Sequence, residues 1–562
     1  MSENPVSEAR VYRLKKMQSL PLDGQAFKRL VEAGLTWLRT NQQLVNALNV
    51  FPVPDGDTGT NMVLTMQSAY SEISDMGHRK IGEMAAAVSQ GALMGARGNS
   101  GVILSQLWRG FARTLHEQEV LDGPSLVRAF ANARDTAYKG VVRPVEGTIL
   151  TVAKDIATAA EAALKETQDP IEILAKVVPA ADESVQHTPE LLLVLKQAGV
   201  VDAGGKGLYF ILEGMLRYIN GEPLDLPIAT LQPITAMNLE NAKNTIEPGQ
   251  DFEIVADFYP FQPLNLQDFY SALEEMGTSI QIGEGEGMYR MHIHVPTDKR
   301  YLPIDYVMGL GTITKVALEN LLAQMDDLDR KSRVDRLELA NVEPGQIAVV
   351  AVSPGPGLSR IFASLGSAAI VEGGQTMNPS TKDILEAFEN LPTDKVIILP
   401  NNKNIILAAQ QAKEVTVKNV RIVPSQTIPQ GLTAMLVLNP NGDTETVADK
   451  MEKSLGNVKT GEITVATRSV EIDGVTVEKD QVIALLDGKL VLSAASVEEA
   501  CLGLLAKANA ADHELITLYY GEDMSHTRVN HIADMIRTTY PAQEIEVQDG
   551  GQPHYQLIVS IE

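Results

Sequence analysis

The stretch Asn49-Val-Phe-Pro-Val-Pro-Asp55-Gly-Asp57-Thr-Gly-Thr-Asn61 interrupts a long helical pattern near the N-terminus. Its two carboxylates, Asp55 and Asp57, are separated by one glycine in a segment stiffened by prolines, so both can converge on one point. Hard oxygen ligands of this kind suit Mg²⁺, which proteins usually hold with one or two carboxylates plus substrate phosphates. An Asp-Gly pair alone is a common turn, so the prediction of a metal site depends on the whole string.

The residues after Asp57 are predicted to begin a helix, because a Gly-rich loop here leads directly into an apolar periodic pattern. The first N–H groups of a helix have no partner within it and form a natural seat for phosphate. Thr58, Thr60 and Asn61 lie at this predicted helix start. The alternative is a purely structural turn with a helix cap.

A second polar loop, Gly95-Ala-Arg-Gly98-Asn99-Ser100-Gly101, is predicted to join helices over 81–94 and 102–115. Its glycines allow close backbone approach, and Asn99 and Ser100 can bond phosphate oxygens. It lacks the Gly-Lys-Ser/Thr ending of a Walker A loop, and no strand precedes it as in a dinucleotide fingerprint. Taken alone, it is equally well interpreted as a helix–helix turn.

A third loop of the same character is Val200-Val-Asp202-Ala-Gly204-Gly205-Lys-Gly207, whose apolar flank and small residues can receive a purine ring. Helical signals dominate the region around these loops, residues 1–220. They include a predicted helix over Glu190–Gln197 with Thr188 as its N-cap and Pro189 at its first position. Gly199 suits a C-cap. The N-terminal domain is therefore predicted to be an all-helical bundle with its chemistry in the inter-helix loops.

The middle of the chain changes character after a Pro- and Asn-rich linker. Residues 251–258, 279–283 and 289–295 alternate like strands, and helices are predicted over 265–275 and 309–325. We therefore predict a small α+β domain over 246–326.

From residue 342 short β-branched strands alternate with helices, which predicts an α/β domain over 342–562 with a parallel sheet. The sequence leaves open whether it divides into two lobes, 342–437 and 460–562. Ser353-Pro-Gly-Pro-Gly357 is interpreted as a tight strand-to-helix turn. Gly373–Gln375 and Asn401–Asn404 follow strands, at the edge where such sheets bind ligands or partners, and the sequence does not decide between these uses.

Composition narrows the class of protein. The 562 residues carry a formal net charge of -25, which argues against nucleic acid or anionic lipid as a partner. The single cysteine, Cys501, can form no internal disulfide and excludes a multi-Cys zinc site. With no secretory signal and no apolar run of membrane-spanning length, a cytoplasmic protein is expected.

The three loops resemble the ATP-binding L domain of dihydroxyacetone (glycerone) kinases. The segments Gly373-Gly-Gln-Thr-Met-Asn-Pro-Ser-Thr381, Leu399–Leu407, Thr427–Gly431, Tyr520–Asp523 and Gly550–Pro553 resemble the ATP-binding component of bacterial fatty acid kinases. The resemblance covers nearly the whole chain. It implies a helical barrel that holds ATP and a pair of Mg²⁺ ions, followed by the α+β and α/β domains.

Individual roles also follow from this resemblance. Asp55 and Asp57 would be catalytic metal ligands, with Asn49 as a further Mg²⁺ ligand. The phosphate and nucleotide contacts would come from Thr58, Thr60, Asn61, Gly98, Asn99, Ser100, Asp202 and Gly204.

The resemblance also bears on the middle domain, where the family often has a Cys near the first strand and a His-x-His pair. His292 and His294 are present and are candidate metal ligands, because residues two apart on a strand share a face. Val255 stands at the counterpart of the Cys, which argues against zinc, and Asp257 is a candidate third ligand.

The function that the resemblance implies is transfer of the ATP γ-phosphate to the carboxylate of a fatty acid carried by a separate fatty-acid-binding protein. The tail domains are expected to dock that protein and to support a homodimer. One alternative is a kinase acting on dihydroxyacetone or a related small ketose. A second alternative, of another class, is a non-catalytic scaffold that senses Mg·ATP.

Overall fold

The computed structural model describes residues 22–50, 56–77, 79–141, 143–224, 232–233, 251–262, 264–285, 288–320, 337–375, 377–466, 470–472 and 475–562. These residues divide into two compact units, one drawn from ranges 1–225 and 337–562 and the other from 226–336. We call the first the discontinuous unit and the second the middle unit. The predicted domain bounds 1–220, 246–326 and 342–562 remain predictions.

The N-terminal part of the discontinuous unit is helical, as predicted. Polar N-caps begin several of its helices: Asp23, Asp122, Thr148 and Asp169 each accept a hydrogen bond from a backbone N–H of the following turn. The helices are α1 (Gly24–Thr40), α2 (Gln42–Leu48), α3 (Thr58–Ser74), α4 (Ile81–Met94), α5 (Gly98–Leu115), α6 (Gly123–Gly140), α7 (Ile149–Ala163), α8 (Pro170–Leu191), α9 (Leu193–Ala198) and α10 (Ala203–Asn220).

From α3 to α8 each helix packs against the next, and α10 packs against both α8 and α1. Trp37, Met62 and Phe210 are among the fully buried side chains of the shared core. The predicted barrel form remains a prediction. Among the residues that the structure describes, none of the helices combines the length and the apolar character needed to cross a membrane.

The predicted helix start at Thr188-Pro189 is wrong, because α8 continues through both residues to Leu191. Proline lacks the N–H that would bond the carbonyl four residues earlier, at Val185. The Thr188 hydroxyl instead donates to that carbonyl, at 2.7 Å. The helix therefore passes the proline with its Val185 carbonyl satisfied. The predicted C-cap at Gly199 is confirmed, with φ +65°.

The middle unit contains a sheet in the order β1-β3-β4-β2-β5. Its elements are β1 (Gln232–Pro233), β2 (Phe252–Pro260), α11 (Leu266–Glu274), β3 (Thr278–Gly285), β4 (Met288–Val295), α12 (Leu302–Leu310) and β5 (Gly311–Asn320). The helix predicted over 309–325 is wrong within the described residues, because α12 ends at Leu310 and β5 follows. The run Thr312-Ile-Thr-Lys-Val316 is rich in β-branched residues and pairs antiparallel with β2.

The C-terminal part of the discontinuous unit begins with the predicted parallel sheet, in the order β7-β6-β8-β9. The Ser353–Gly357 turn is confirmed, since β6 ends at Ser353 and Pro356 begins the next helix. The elements are β6 (Ile347–Ser353), α13 (Pro356–Ser364), β7 (Ala369–Glu372), α14 (Thr381–Glu389), β8 (Lys395–Leu399), α15 (Ile406–Val415), β9 (Asn419–Ile422), α16 (Ile428–Leu436) and α17 (Thr444–Ser454).

A second sheet follows in the order β14-β13-β10-β17-β15-β16, and only its β15–β16 pair is parallel. The sequence predicts strands over 462–468, 515–520, 544–547 and 556–560 for this region, and the hairpin β13–β14 is not among them. The elements are β10 (Lys459–Val465), the separate hairpin β11 (Val470–Ile472) and β12 (Val475–Val477), β13 (Val482–Leu486), β14 (Lys489–Ala494), α18 (Val497–Lys507), β15 (Leu515–Tyr520), α19 (His526–Thr539), β16 (Glu544–Asp549) and β17 (Leu557–Ile561).

The two C-terminal sheets meet where the first turn of α13 contacts the end of β16. The Leu358 N–H donates to the Gly550 carbonyl at 3.0 Å. A Cβ placed on Gly357 would lie 1.9 Å from the Asp549 carbonyl oxygen, so this contact requires a residue without a side chain.

We predict that Gly357→Ala destabilises the C-terminal part of the chain. Alanine is favoured over glycine in a helix by about 1 kcal/mol, so a loss of stability here must come from the clash with the Asp549 carbonyl. Differential scanning calorimetry measures the unfolding temperature. The control is Gly456→Ala, because a Cβ at Gly456 would meet nothing within 4 Å. Equal melting of the Gly357 variant and the wild type would contradict the close approach.

Candidate functional site

The starts of helices α3 and α5 are held against each other. Gly98 begins α5 with φ +57°, and a Cβ on it would lie 2.6 Å from Asn61 Nδ2. The Thr65 hydroxyl donates to the Asn61 carbonyl at 2.7 Å and accepts from the Arg97 N–H at 3.3 Å. Glycine is needed at position 98 because it adopts positive φ without strain and leaves room for this approach.

The second turn of helix α10 contacts the second turn of α3. Met62 lies in the second turn of α3, and its Sδ would be 2.5 Å from a Cβ on Gly207, in the second turn of α10. At about 1.5 Å of rise per residue, each helix start lies within about 8 Å of this contact. Helix starts present unpaired N–H groups and partial positive charge. The starts of α3 and α5, which meet at Gly98, therefore suit an anionic ligand, although the Thr60 N–H already donates to Asn46 Oδ1 at 3.1 Å. At the start of α10 the Gly205 N–H is bound by Asp202.

Asp57 lies at the start of α3 and is only 5% exposed. Its carboxylate makes no capping hydrogen bond to α3. Instead, its Oδ2 accepts a hydrogen bond from Asn378 Nδ2, which belongs to the C-terminal part of the chain. Asn49, the other candidate ligand that the structure describes, is 4% exposed. Asp55 lies outside the described residues.

The candidate phosphate contacts fall at the two helix starts. Thr58, Thr60 and Asn61 form the first turn of α3, as predicted. The Thr60 hydroxyl already accepts hydrogen bonds from Gln42 at 2.9 Å and Asn46 at 3.1 Å. Polar neighbours therefore fix the Thr60 side chain.

The predicted second loop is shorter than expected, because α5 begins at Gly98 rather than at Val102. Gly98, Asn99 and Ser100 are therefore its first turn. Asn99 Nδ2 donates to Asn404 Oδ1 at 2.9 Å, across to the C-terminal part of the chain. Ser100 is half-buried.

Asp202 and Gly204 lie where α7 and α10 begin. Asp202 is the N-cap of α10 and accepts the Gly205 N–H at 2.6 Å, and Gly204 faces the Ile149 side chain at the start of α7. Complete burial raises the pKa of Asp202 to about 6, although hydrogen bonds from the Gly205 and Ile149 N–H groups oppose the rise. Gly204 to Gly207 belong to α10, so the third loop is also shorter than predicted.

The carboxyl edge of the parallel sheet faces the Gly98 loop. Asn404 contacts Asn99, Asn402 Nδ2 donates to Gln375 Oε1 at 3.0 Å, and Arg97 donates to the Asn378 carbonyl at 2.9 Å. At least part of this edge therefore contacts the helical part of the same chain. No role was predicted from the sequence for Arg97 or Asn378, although Arg97 lies in the Gly95–Gly101 motif and Asn378 in the Gly373–Thr381 motif.

A second cluster of polar side chains lies in the middle unit. One oxygen of Glu253 and one nitrogen of each of His292 and His294 lie within 4.8 Å of one another, and all three residues are buried. His292 Nε2 is 3.0 Å from Glu253 Oε1. Neither ring nitrogen of His294 has a hydrogen-bond partner among the described residues. Burial, and then the charge of His292, lowers the pKa of His294 to about 4, so the ring is neutral at pH 7.

The strand register explains which carboxylate joins the histidines. Val255 pairs with His292 and Asp257 pairs with Arg290 in the β2–β4 ladder. Asp257 is bound through both oxygens by Arg290, at 2.6 and 2.7 Å, and is therefore engaged elsewhere. Glu253 lies beside the histidines instead. Period-two alternation along β2 places it on the same face as Val255, which was the available sequence signal.

Comparison with known proteins gives two family matches. Residues 52–217 match the DAK2 domain, and residues 348–562 match the FakA-like C-terminal family of fatty acid kinase. An uncharacterized protein of Staphylococcus saprophyticus is 38% identical over 550 residues, which cover 96% of this chain and 99% of that protein.

Two solved structures show partial likeness. The fatty acid kinase B3 protein of Streptococcus pneumoniae, loaded with linoleic acid, is 14% identical with a TM-score of 0.29, covering 38% of this chain and 99% of that one. The dihydroxyacetone kinase of C. freundii in complex with AMP-PNP and Mg²⁺ is 18% identical with a TM-score of 0.29, covering 35% of each chain.

We predict that Asp202 makes stability depend on pH between 5.5 and 7.5. Its native pKa of about 6 lies above the unfolded value of about 3.9. Native Asp202 therefore holds the proton more tightly, and the stability contributed by protonated Asp202 is lost as the pH rises through about 6. The loss between pH 5.5 and 7.5 is about 1 kcal/mol.

Thermal unfolding of Asp202→Asn tests this value. Relative to the wild type, the melting temperature of the variant should rise by about 1 °C between the two pH values, because a unit of this size has a large entropy of unfolding. Asp122→Asn is the control, because hydrogen bonding to Ser125 lowers the pKa of that N-cap and keeps it ionised throughout. If the difference in melting temperature between Asp202→Asn and the wild type were the same at both pH values, the pKa of Asp202 would not be raised.

Proposed function

The chain belongs to the FakA-like proteins of fatty acid kinase that carry an N-terminal DAK2 domain, and from this we propose that it is the ATP-binding component of a fatty acid kinase. It transfers the γ-phosphate of ATP to the carboxylate of a fatty acid that a separate lipid-binding protein presents. The products are an acyl phosphate and ADP.

The observation that carries the proposal is a buried carboxylate, Asp57, at the start of α3, which lies against the start of α5. Phosphoryl transfer depends mainly on positioning and on neutralising the phosphate charge. Helix N–H groups can supply part of that neutralisation, and Mg²⁺ supplies the rest. Asp57, Asn49 and Asp55 offer the hard oxygen ligands that Mg²⁺ prefers.

Other residues of the proposed site would hold the nucleotide. Backbone N–H groups at the two helix starts, with Thr58, Thr60, Asn61, Gly98, Asn99 and Ser100, would contact the phosphates. Asp202 and Gly204 would border the nucleotide at the start of α10. A protein of formal charge -25 needs such local positive character to bind a polyanion.

The acceptor is inferred from the family description and from the chemistry. A fatty acid carboxylate is ionised at neutral pH, because its pKa lies near the carboxyl values of about 4. Its oxygen attacks the γ-phosphorus, the bond from that phosphorus to the bridging oxygen of ADP breaks, and no proton has to be removed. This agrees with a site where a carboxylate is held for metal binding, because an ionised acceptor needs no general base.

We predict that Asp57→Asn abolishes phosphoryl transfer, with a loss of at least about 100-fold, because the variant loses the charge that binds Mg²⁺. The protein is assayed with the lipid-binding protein that co-purifies with it, Mg·ATP and a long-chain fatty acid. Hydroxylamine traps acyl phosphate as a hydroxamate. Asp443→Asn, a helix cap of α17 far along the chain, is the control.

Each outcome of this assay decides between functions. Hydroxamate that requires fatty acid and the partner supports the acyl kinase. ADP formation driven by dihydroxyacetone, without hydroxamate, would indicate a ketose kinase. Nucleotide binding with neither product would favour the Mg·ATP-sensing scaffold. Full activity of Asp57→Asn with normal Mg²⁺ dependence would refute the metal assignment.

We also propose that Glu253, His292 and His294 bind a divalent metal ion such as Zn²⁺ in the middle unit. The cluster fits such an ion, because two imidazoles and a carboxylate are typical zinc ligands. The orphaned ring nitrogens of His294 give a specific reason, since a buried polar atom without a partner is unfavourable. The role proposed is structural.

We predict that the full-length protein binds one Zn²⁺ per chain in the middle unit, in addition to any metal ion that binds with the nucleotide. His294→Ala and Glu253→Gln should each lower zinc content by about 10-fold or more after dialysis, as measured by mass spectrometry. The control is His526→Ala, because His526 is an exposed histidine at the start of α19. Unchanged zinc content in the His294 variant would show that the ion, if present, is held elsewhere.

A further inference from the structure

Asn378 connects the C-terminal part of the chain to the candidate kinase site. It lies in the loop between β7 and α14, at the carboxyl edge of the parallel sheet, and is 2% exposed. Its Nδ2 donates to Oδ2 of Asp57, which lies 321 residues earlier in the sequence. A side chain from the α/β part therefore makes direct contact with the carboxylate assigned to metal binding.

The loop that carries Asn378 is fixed to the helical part at several points. The Arg97 guanidinium donates to the Asn378 carbonyl at 2.9 Å and pairs with Asp383 at 3.2 Å. The Thr381 N–H donates to the Ala96 carbonyl at 3.2 Å. Since Arg97 and Ala96 directly precede Gly98, the position of Asn378 is tied to the start of α5.

Two amide side chains consequently flank Gly98. A Cβ on this glycine would lie 2.6 Å from Asn61 Nδ2 and 3.5 Å from Asn378 Nδ2. Asn378 thus lies against the same helix start that the proposed function assigns to phosphate.

The carbonyl oxygen of the Asn378 side chain is also notable. Oδ1 is buried and accepts no hydrogen bond from the described residues. Other amide pairs across this interface form hydrogen bonds with each other, as Gln106 and Gln411 do at 2.9 Å. An orphaned amide oxygen is unfavourable in a contact that only joins two parts of a chain.

We propose that Asn378 is a positioning residue of the kinase site: its amide donates to Oδ2 of Asp57 and so orients the carboxylate that is to bind the metal of Mg·ATP. Hydrogen-bond partners of metal-ligating carboxylates orient them and tune metal affinity. The kinase site is then built from both parts of the discontinuous unit. This inference rests on the proposed function, because it requires Asp57 to be a metal ligand.

The test measures how much Mg²⁺ the full-length protein needs to bind the non-hydrolysable analogue AMP-PNP, using isothermal titration calorimetry at a series of Mg²⁺ concentrations. Asn378→Leu removes the amide while keeping similar volume. It should raise the Mg²⁺ concentration for half-maximal binding by about 10- to 100-fold. Turnover at saturating Mg²⁺ should fall much less than turnover at low Mg²⁺.

Gln411→Leu is the matched control. It also replaces a buried interface amide with leucine, but its partner, Gln106, lies away from the Asp57 carboxylate. Its Mg²⁺ requirement should stay within about twofold of the wild type, since it touches no metal ligand. Asn378→Ser supplies a hydroxyl donor in place of the amide, so its Mg²⁺ requirement should lie between those of the wild type and Asn378→Leu. If the leucine variant does not fold, the serine variant is used in its place.

A double variant separates positioning from packing. If Asn378 acts through Asp57, the double variant should need the same Mg²⁺ concentration for half-maximal AMP-PNP binding as Asp57→Asn alone, because the effects of coupled residues are not additive. The inference would be overturned if Asn378→Leu needed no more Mg²⁺ than the wild type, or if Gln411→Leu raised the Mg²⁺ requirement as much as Asn378→Leu does. Neither result would contradict the assignment of Asp57 as a metal ligand. Normal Mg²⁺-dependent binding by Asp57→Asn would instead overturn the metal assignment itself, and this inference with it.

Discussion

The close approach of α5 to α3 at Gly98 is the constraint on which the candidate site depends. No residue with a side chain fits between this backbone and the Asn61 amide, and the positive φ of Gly98 adds a second reason for glycine. The approach brings two helix starts together. It also sets Arg97 where it can bond the Asn378 loop. One glycine therefore supports both the anion-binding geometry and the contact between the two parts of the chain.

The electrostatics of the site follow from this arrangement. The chain as a whole is strongly acidic, yet the proposed ligand is a triphosphate. Converging helix starts give local positive potential without adding basic side chains, and a carboxylate there favours a divalent cation over a bare anion. Under the proposed function, Asp57 would make metal binding and nucleotide binding interdependent. At the start of α10, hydrogen bonds from the Gly205 and Ile149 N–H groups stabilise the charged form of Asp202, although burial still raises its pKa.

Local signals in the sequence predicted much of the fold and of the candidate site. The Asp-Gly-Asp string, the Gly98 loop and the alternation of strands and helices after residue 342 are patterns of a few neighbouring residues. The start of α3 and the parallel sheet appear where predicted, whereas α5 and α10 begin earlier than predicted. Errors arose where distant or competing interactions decide. The hydroxyl of Thr188 satisfies a carbonyl and lets a helix pass a proline, and pairing with β2 makes residues 311–320 a strand. The Asn378–Asp57 contact carries no local signal, because nothing in either motif specifies its partner.

The insertion of residues 226–336 between the two parts of the discontinuous unit has a consequence for biosynthesis. Asp57 leaves the ribosome long before Asn378, which lies 321 residues later. At about 5–20 residues per second, this interval lasts roughly 15–60 s. During that time the nascent helical domain exposes Ala96 and Val102, which later join the core of the parallel sheet. A chain interrupted in this interval would present an incomplete surface to chaperones, because residues 337–562, which cover Ala96 and Val102, are synthesised last.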